Sequence, residues 1–250
     1  MTKVIILLAG KGSRLKNLTQ KNHKALLKIN KYNFLEHQLE NFNQNKINDI
    51  TLLLGHQNKL FNNYNYKKII NLNYKKTNMV YTLFLAKKII KNCKDDLIIS
   101  YGDIIYSKKV LTKLINSKKG YSIIIDKDWK KLWKKRFHNI YQDAETCVIK
   151  KNTIMEIGQK SIDIKKFNGQ YIGLIKIKKN KINEFLKLLT NFSLKNDFSK
   201  LYMTDFLSYL IQKKINLRPV LINQEWLELD TEYDFKLYKN KKNYNKLELI

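Results

Sequence analysis

The amino-terminal segment most constrains what this chain can fold into, because an aliphatic run there ends abruptly in a glycine-rich, basic loop. Residues 4–15 read Val-Ile-Ile-Leu-Leu-Ala-Gly-Lys-Gly-Ser-Arg-Leu. A short continuous run of β-branched and aliphatic residues is typical of a strand buried in a parallel sheet. Two glycines directly after such a strand allow backbone amides to approach an anion closely. The segment therefore predicts an α/β fold with a phosphate-binding loop after its first strand.

Spacing excludes two common kinds of phosphate loop. A Walker loop requires Gly-Lys-Ser/Thr after four intervening residues, and the dinucleotide-binding fingerprint requires a third glycine where Leu15 stands. The loop must therefore be of another type.

Composition limits the remaining choices. A chain of 250 residues that is 44% hydrophobic can bury a substantial core, most simply as one α/β domain. No apolar run reaches the roughly 18 residues of a membrane span, and the amino terminus lacks a signal-peptide pattern. The two cysteines, Cys93 and Cys147, have no metal-binding spacing and fit a reducing cytoplasm, where we expect them to be small buried hydrophobic residues.

The formal net charge of +28 invites a nucleic-acid-binding interpretation. The kind of basic residue argues against it, since Arg14, Arg136 and Arg218 are the only arginines among 49 basic residues and the lysines are scattered along the chain. Proteins that read nucleic acid favour guanidinium groups for bidentate contacts. We attribute the charge to a Lys/Asn/Ile-rich codon bias and expect no specific nucleic-acid binding.

Alternating strands and amphipathic helices predict a doubly wound arrangement, with ligands at the carboxyl ends of the strands. The strands expected after the first are residues 25–29, 50–54, 69–72, 97–101, 121–126 and 217–222. Helices are expected over residues 34–42, 79–90, 201–211 and from residue 232 onwards. Pro219 predicts that the strand containing it lies at an edge of the sheet.

Two acidic segments are candidates for a metal site. Gly102-Asp103 follows a predicted strand, where a carboxylate can hold Mg²⁺ against a polyphosphate, although aspartate is also a common turn former. Residues 226–231 read Trp-Leu-Glu-Leu-Asp-Thr, and alternation would turn Glu228 and Asp230 to one face. Two acidic side chains directed together are costly unless a cation lies between them.

These stretches together resemble the nucleotidyltransferases that activate sugar phosphates and choline phosphate. The family pattern is roughly Leu-Ala-Ala-Gly-x-Gly-x-Arg-Leu, then Leu-Thr, then Pro-Lys, with a later Gly-Asp and a final Trp-x-Glu-Ile-Asp-Thr. Here Leu8 replaces an alanine and His23 replaces the proline, but the spacing from the loop to Lys24 is kept. The resemblance covers nearly the whole chain and implies a glycosyltransferase-A-like (Rossmann-like) α/β fold, with a mixed central sheet and helices on both faces. Residues 1–119 would mainly bind nucleotide, residues 120–231 would mainly bind the acceptor, and residues 232–250 would form a carboxyl-terminal helix and tail.

The resemblance also implies roles for particular residues. Arg14, Lys24, Asp103 and Asp230 would be catalytic, and Asp103 and Asp230 would bind Mg²⁺. The residues expected to bind the nucleotide are Leu7, Leu8, Ala9, Gly10, Lys11, Gly12, Ser13, Arg14, Lys24, Gln57, Asn78, Thr82 and Gly102. The residues expected to bind the acceptor are Asp128, Trp129, Glu145, Lys160, Tyr171, Asp205 and Glu228.

Some of these residues have equally ordinary explanations. Asn78 can be a simple helix cap, Lys160 a solvated surface lysine, and Trp129 and Trp133, four apart on one helical face, can belong to the core. The two tryptophans could instead line a binding pocket, because aromatic faces hold amines and quaternary ammonium groups.

The activity implied is Mg²⁺-dependent transfer of CMP from CTP to a small phosphorylated amine or amino-acid-derived acceptor, with release of pyrophosphate. Phosphoglutamine, phosphocholine and aminoethylphosphonate are the acceptor types within this branch, which serves surface polysaccharides. The alternatives are a sugar-1-phosphate uridylyl- or thymidylyltransferase and a non-catalytic nucleotide- or nucleic-acid-binding protein. The sequence leaves open whether the chain forms a homodimer.

Overall fold

A computed structural model describes residues 2–239, apart from the side chain of Gln142. The expected tail at residues 240–250 lies outside the described residues. Within residues 2–239, no helix has both the length and the apolar character needed to cross a membrane.

A seven-stranded mixed sheet forms the centre of the molecule. Its strands are β1 (Thr2–Leu8), β2 (Asp49–Leu54), β3 (Lys67–Ile70), β4 (Asp96–Tyr101), β6 (Tyr121–Asp126), β9 (Gln170–Ile177) and β10 (Leu217–Ile222). They lie in the order β10-β6-β9-β4-β1-β2-β3. Only β9 runs antiparallel to its neighbours β4 and β6. The mixed sheet predicted from the sequence is thus confirmed, and β10 with its Pro219 is an edge strand as expected.

Two small antiparallel pairs complete the strands. β5 (Ile104–Tyr106) pairs with β11 (Trp226–Glu228), and β7 (Cys147–Lys150) pairs with β8 (Thr153–Ile157). The first pair joins the segment after Asp103 to the segment before Asp230, which brings two distant parts of the chain together.

Helices cover both faces of the central sheet, as expected. They are α1 (Phe34–Gln44), α2 (Met79–Leu85), α3 (Lys87–Lys91), α4 (Lys108–Asn116), α5 (Trp129–Arg136), α6 (Ile140–Asp143), α7 (Ile182–Phe192), α8 (Met203–Gln212) and α9 (Glu232–Lys239). Alternation along β1 explains the two layers, because Val4 and Ile6 pack into a core with α1, α4 and α5, whereas Ile5 packs into a second core with α2, α7 and α8. Cys93 and Cys147 are buried free thiols in the second core, which confirms the expectation for both.

The structure corrects four expectations about local structure. The apolar run at residues 25–29 is not a strand: it begins as a 3₁₀ turn at Lys24–Leu26, because the His23 side chain accepts a hydrogen bond from the Ala25 amide and caps the turn. The helix expected over residues 79–90 is two helices, broken at Ala86, where ψ is 8°. The third strand is Lys67–Ile70 rather than residues 69–72. The last strand ends at Glu228, so Asp230 lies in a loop and not in a strand.

Candidate active site

The glycine loop connects the carboxyl end of β1 to a 3₁₀ segment at Ser13–Thr19. Gly12 has a φ of 64°, in the left-handed region that favours glycine. A Cβ atom at Gly12 would lie 3.3 Å from both Lys24 Cβ and Thr19 Cγ2. The Leu15 amide and the Thr19 hydroxyl each donate a hydrogen bond of 3.0 Å to the Gly12 carbonyl oxygen. The loop is therefore held in one conformation that depends on glycine at this position.

Lys24 enters the cleft directly after His23, the residue that replaces a proline. His23 is fully buried and adopts an extended φ of −100°, and its Nδ1 accepts a hydrogen bond from the Ala25 amide at 3.1 Å. The Lys24 ammonium group forms an ion pair with the Asp103 carboxylate. Burial alone would lower the pKa of Lys24, but the Asp103 carboxylate outweighs burial and raises it. The exchange of proline for histidine thus leaves Lys24 charged and directed at Asp103.

Close packing at Gly102 fixes the backbone that carries Asp103. The Gly102 amide donates to the Leu7 carbonyl oxygen at 3.0 Å. A Cβ atom at Gly102 would lie 2.2 Å from Leu8 Cδ2 and 2.7 Å from the Leu7 carbonyl oxygen, closer than real Cβ contacts allow. Asp103 therefore follows β4 at a position where the chain touches β1 directly.

Asp230 reaches the same place from the other end of the sequence. The Leu229 amide donates to the Asp103 carbonyl oxygen at 2.9 Å. Arg14 Nη1, from the glycine loop, lies 2.6 Å from Asp230 Oδ2. Burial raises the pKa of Asp230, while Arg14 and then Lys24 oppose that rise. The structure thus brings Arg14, Lys24, Asp103 and Asp230 together.

The two aspartates form a donor set that fits a hard divalent cation. Carboxylate oxygens are the protein ligands that Mg²⁺ prefers, and such sites commonly take one or two carboxylates and complete their coordination with water and substrate phosphates. Among residues 2–239, no group of three or more His, Cys, Asp or Glu side chains could hold a metal by itself. The residues present therefore suit a cation that is shared with a phosphate-bearing ligand.

A cavity of about 100 Å³, here called the loop cavity, adjoins the glycine loop. It is lined by Leu7, Ala9, Gly10, Lys24, Tyr74, Thr77, Asn78, Met79, Thr82, Tyr101 and Asp103. Asn78 caps α2 through its side chain, which accepts from the Met79 amide at 2.9 Å, and it lines the cavity as well. The position of Asn78 is thus compatible with both roles considered from the sequence, a helix cap and a nucleotide-binding residue.

A second cavity of about 160 Å³, the acidic cavity, adjoins the first and shares Met79 and Tyr101 with it. Its other lining residues are Arg14, Trp133, Asp143, Glu145, Gln170, Tyr171, Tyr202, Thr204, Glu228 and Asp230. Four carboxylates, Asp230 among them, and four aromatic rings thus surround this space. Such a lining suits a ligand with a positively charged or amide-bearing end.

Glu228 and Glu145 of the acidic cavity have raised pKa values, as Asp230 does. Burial raises the pKa of Glu228 to about 7. The Arg136 guanidinium acts in the opposite direction and lowers this pKa, whereas the carboxylates of Asp103 and Asp230 raise it further. Burial also raises the pKa of Glu145, although the nearby ammonium group of Lys160 lowers it. Both carboxylates lack full compensation in the protein itself, which favours a cationic partner.

Other predicted site residues lie outside the two cavities. Gln57 donates to the Gln20 carbonyl oxygen at 2.8 Å, and Asp128 pairs with Lys131 at 2.9 Å. Trp129 is 1% exposed and packs edge-on against Trp133, so it belongs to the core.

Asp205 and Lys160 lie near the acidic cavity without lining it. The Asp205 carboxylate caps α8 by accepting from the Tyr202 amide at 2.7 Å. Lys160 Nζ donates to the carbonyl oxygens of Asp143 and Ala144 at 3.0 and 3.2 Å.

The remaining predicted nucleotide residues belong to the glycine loop or its support. Leu8 is buried beneath Gly102, whereas Lys11 and Ser13 are exposed on the loop.

Several lining residues were not predicted from the sequence. The residues of this kind are Tyr74, Thr77, Tyr101, Asp143, Gln170 and Tyr202. Tyr101 carried a usable signal, because it directly precedes Gly102-Asp103 at a strand end, where ligands are expected. The others lie on loops or at element ends, and no local pattern distinguishes them.

A larger cavity of about 710 Å³ lies between α1 and α4 and contains none of the predicted site residues.

Comparison with known proteins identifies the fold. The inositol-1-phosphate CTP transferase from T. maritima superposes with a TM-score of 0.77 at 17% identity, covering 100% of this chain and 96% of that one. The CTP:phosphocholine cytidylyltransferase from Streptococcus pneumoniae superposes with a TM-score of 0.71 at 20% identity, covering 99% of this chain and 97% of that one. At these identities the likeness establishes the shared fold alone, and it confirms the predicted fold class.

Sequence comparison identifies the family. The CTP:phosphoglutamine cytidylyltransferase of Campylobacter jejuni subsp. jejuni serotype O:2 is 38% identical over 246 residues, covering 93% of this chain and 97% of that protein. The family model described as nucleotidyl transferase matches residues 3–139, a span that includes the glycine loop, Lys24 and Asp103. Members of this family generally use a divalent metal. The chain is therefore a member of the nucleotidyl transferase family and an enzyme of that class.

Proposed function

We propose that this enzyme is a Mg²⁺-dependent cytidylyltransferase that transfers CMP from CTP to a small phosphorylated, amino-acid-derived acceptor of the phosphoglutamine type and releases pyrophosphate. The observation that carries the proposal is the similarity along nearly the whole chain to the Campylobacter phosphoglutamine enzyme. Choline phosphate and aminoethylphosphonate are related acceptors that the same cavity chemistry would suit. The product would serve the modification of a capsule or another surface polysaccharide.

The binding roles follow from the chemistry of the loop cavity. Backbone amides of residues 10–13, together with Arg14, would take the β- and γ-phosphates, and Lys24 would neutralise charge that develops at the α-phosphate. Asp103 and Asp230 would hold Mg²⁺, which supplies further neutralisation of the phosphate oxygens when it is bound. Groups near Leu7, Ala9, Asn78 and Thr82 would contact the nucleoside.

The ion pairs of the cleft support an exchange of partners on substrate binding. Lys24 neutralises Asp103, and Arg14 neutralises Asp230. A triphosphate with its cation offers anionic oxygens to the two basic residues and positive charge to the two carboxylates. All four side chains can therefore change partners without any charge being left unpaired in a partly buried site, which would be costly.

The reaction requires little covalent chemistry from the protein. An oxygen of the acceptor phosphate attacks the α-phosphorus in line, the bond to the β-phosphate oxygen breaks, and pyrophosphate leaves. The acceptor phosphate is already ionised at neutral pH, so no general base is needed. Catalysis then depends on positioning and charge neutralisation by the residues already named.

The acidic cavity would hold the acceptor beside the α-phosphate. Its carboxylates, including Glu145 and Glu228, would attract an ammonium or amide group, and the rings of Trp133, Tyr101 and Tyr171 would pack against the acceptor body. The buried free thiols support a reducing cytoplasmic location.

Pyrophosphate release tests the proposal. The protein is incubated with Mg²⁺, each of the four nucleoside triphosphates in turn, and a panel that contains phosphoglutamine, phosphocholine, aminoethylphosphonate and sugar 1-phosphates. Release with CTP and a phosphorylated amine or amino acid supports the proposal. Release only with UTP or dTTP and a sugar phosphate would replace it with the sugar-nucleotide alternative, and retention on DNA without any release would favour the non-catalytic one.

A further inference from the structure

A buried glutamine of α1 holds the backbone on both sides of Asp103. The Gln38 side chain is fully buried, and its Nε2 donates to the carbonyl oxygens of Tyr101 and Ile104, each at 2.8 Å. Its Oε1 accepts from Ser100 Oγ at 2.7 Å. The amide thus bridges residues 100–104 with three hydrogen bonds while making no contact with the cleft itself.

A buried carboxylate of α9 holds the backbone at Asp230 in a similar way. Asp234 Oδ2 accepts from the amides of Thr231 at 2.8 Å and Asp230 at 3.1 Å, and the Asp234 amide donates to Thr231 Oγ1 at 3.1 Å. Arg136 Nε and Nη2 donate to the same carboxylate at 2.8 and 3.1 Å. The side chains of Arg136 and Asp234 are 0% and 1% exposed, so this pair is part of the interior.

The two supports are joined across the site. The Leu229 amide donates to the Asp103 carbonyl oxygen, and Glu228 pairs with Ile104 in the β5–β11 ladder. Arg136 Nη1 also donates to Glu228 Oε2 at 3.0 Å. The segments that carry the two aspartates are therefore fixed to each other as well as to the interior.

We infer that Gln38 and Asp234 are positioning residues of the metal site: Gln38 holds Asp103, and Asp234 with Arg136 holds Asp230, so that the two carboxylates face one cation. The inference rests on the proposed function, in which these aspartates bind Mg²⁺. Partners that orient a ligand's own carboxylate or backbone contribute to metal affinity although they do not touch the metal, and their removal commonly weakens binding 10- to 100-fold. Neither residue lies in the motif stretches at residues 7–24, 102–103 and 226–231.

The test measures metal binding in the absence of turnover. Mn²⁺ is titrated into the protein with CTP and without any acceptor, and free Mn²⁺ is followed by electron paramagnetic resonance. Gln38→Met keeps the shape of the side chain but removes its two donors, and Asp234→Asn removes one acceptor oxygen. Each variant should bind Mn²⁺ 10- to 100-fold more weakly than the wild type.

Two control variants each remove a side-chain partner of a backbone hydrogen bond that does not hold Asp103 or Asp230. Asn41→Leu removes a buried amide on the same helix α1, which donates to the Tyr106 carbonyl oxygen at 2.6 Å. Asp96→Asn removes a carboxylate that accepts from the Lys179 amide at 3.0 Å, at the opposite end of the strand that leads to Asp103. Both controls should keep their Mn²⁺ affinity within about twofold of wild type, even where their melting temperature falls.

Milder variants keep the inference testable if Gln38→Met or Asp234→Asn does not fold. Ser100→Ala removes one partner of Gln38, and Thr231→Ala removes the hydroxyl that accepts from the Asp234 amide. Each should weaken Mn²⁺ binding at least about threefold. A further readout is turnover, which should recover at saturating Mg²⁺ while the KM of the acceptor stays unchanged.

The outcomes separate the inference from the proposed function. A wild-type protein that binds Mn²⁺ with CTP, together with positioning variants that match the controls in affinity, would overturn the inference alone. A wild-type protein that binds no Mn²⁺ with CTP would overturn the proposed function, and the inference with it.

Discussion

The ammonium group of Lys24 forms an ion pair with the carboxylate of Asp103, although 79 residues separate the two in the sequence. Lys24 follows the glycine loop of β1, and Asp103 follows β4, the neighbouring parallel strand. Because parallel neighbours end at the same edge of the sheet, two motifs that are distant in sequence meet over one cleft. The ion pair is thus a direct consequence of the strand order.

Replacement of Lys24 should reduce turnover. In Lys24→Met, the positive charge proposed to act at the α-phosphate is lost, and we expect kcat to fall about 10²- to 10³-fold. Steady-state pyrophosphate release measures the change. Lys21→Met, an exposed lysine three residues earlier, is the control and should stay at wild-type rates. Equal rates in Lys24→Met and wild type would remove Lys24 from the catalytic group.

Substitution of Gly102 should disturb the fold at the site. In Gly102→Ala, the added Cβ would clash with Leu8 and with the Leu7 carbonyl oxygen, and overpacking of this kind costs about 1–3 kcal/mol. Urea denaturation measures the loss. Gly120→Ala is the matched control, because the three atoms nearest to its Cβ would all belong to the flexible Lys181 side chain, the closest at 3.2 Å. Similar stability of the two variants would contradict the close approach of β4 to β1.

The acidic cavity predicts a selective effect on the acceptor. In Glu145→Gln, loss of one half-buried carboxylate should raise the KM of a cationic acceptor about tenfold, equivalent to about 1.4 kcal/mol, and leave the KM of CTP within about twofold. Initial rates with each substrate varied in turn measure both constants. Glu156→Gln, a carboxylate paired with Lys166 at 3.1 Å, is the control. A rise in the KM of CTP instead of the acceptor would place Glu145 on the nucleotide side.

Acidic pH should destabilise the protein through its buried histidines. Burial lowers the pKa of His37 to about 4, with Glu36 opposing, and that of His23 to about 3. Between pH 6.5 and about pH 4, the unfolded chain binds a proton at His37 and at His23 while the folded protein does not, so stability falls as pH decreases.

The His37 contribution can be isolated with one variant. Between pH 7.5 and pH 5.0, His37 should account for a loss of roughly 2 kcal/mol in the free energy of unfolding. Urea denaturation at both pH values should therefore show that the wild type loses about that much more than His37→Gln. Parallel losses in the two proteins would show that His37 becomes protonated in the folded state.

Local patterns in the sequence were enough to predict five strands of the central sheet, namely β1, β2, β4, β6 and β10. The aliphatic runs before Gly10 and Gly102 have the appearance of buried strands because both faces of the sheet are covered by helices. The apolar run at residues 25–29 does not form the predicted strand, because the His23 side chain caps a turn there. The hydrophobic periodicity of the sequence does not reveal such an interaction.

Interactions between distant segments could not be predicted from the sequence. The Arg136–Asp234 pair spans 98 residues, and Gln38 reaches Ile104 across 66 residues. Trp129 and Trp133 share a helical face, yet only Trp133 lines the acidic cavity, because Trp129 packs into the core with Tyr141 and Phe167. Such distinctions depend on tertiary packing rather than on residue type.

The most direct test of the account is pyrophosphate release by Asp103→Asn and Asp230→Asn with Mg²⁺, CTP and phosphoglutamine. If the two carboxylates hold one cation at the reacting phosphate, each substitution should lower the rate on the order of 10³-fold or more. Circular dichroism should show that both variants remain folded. Wild-type turnover in either folded variant would contradict the central claim that these two aspartates act together on the triphosphate.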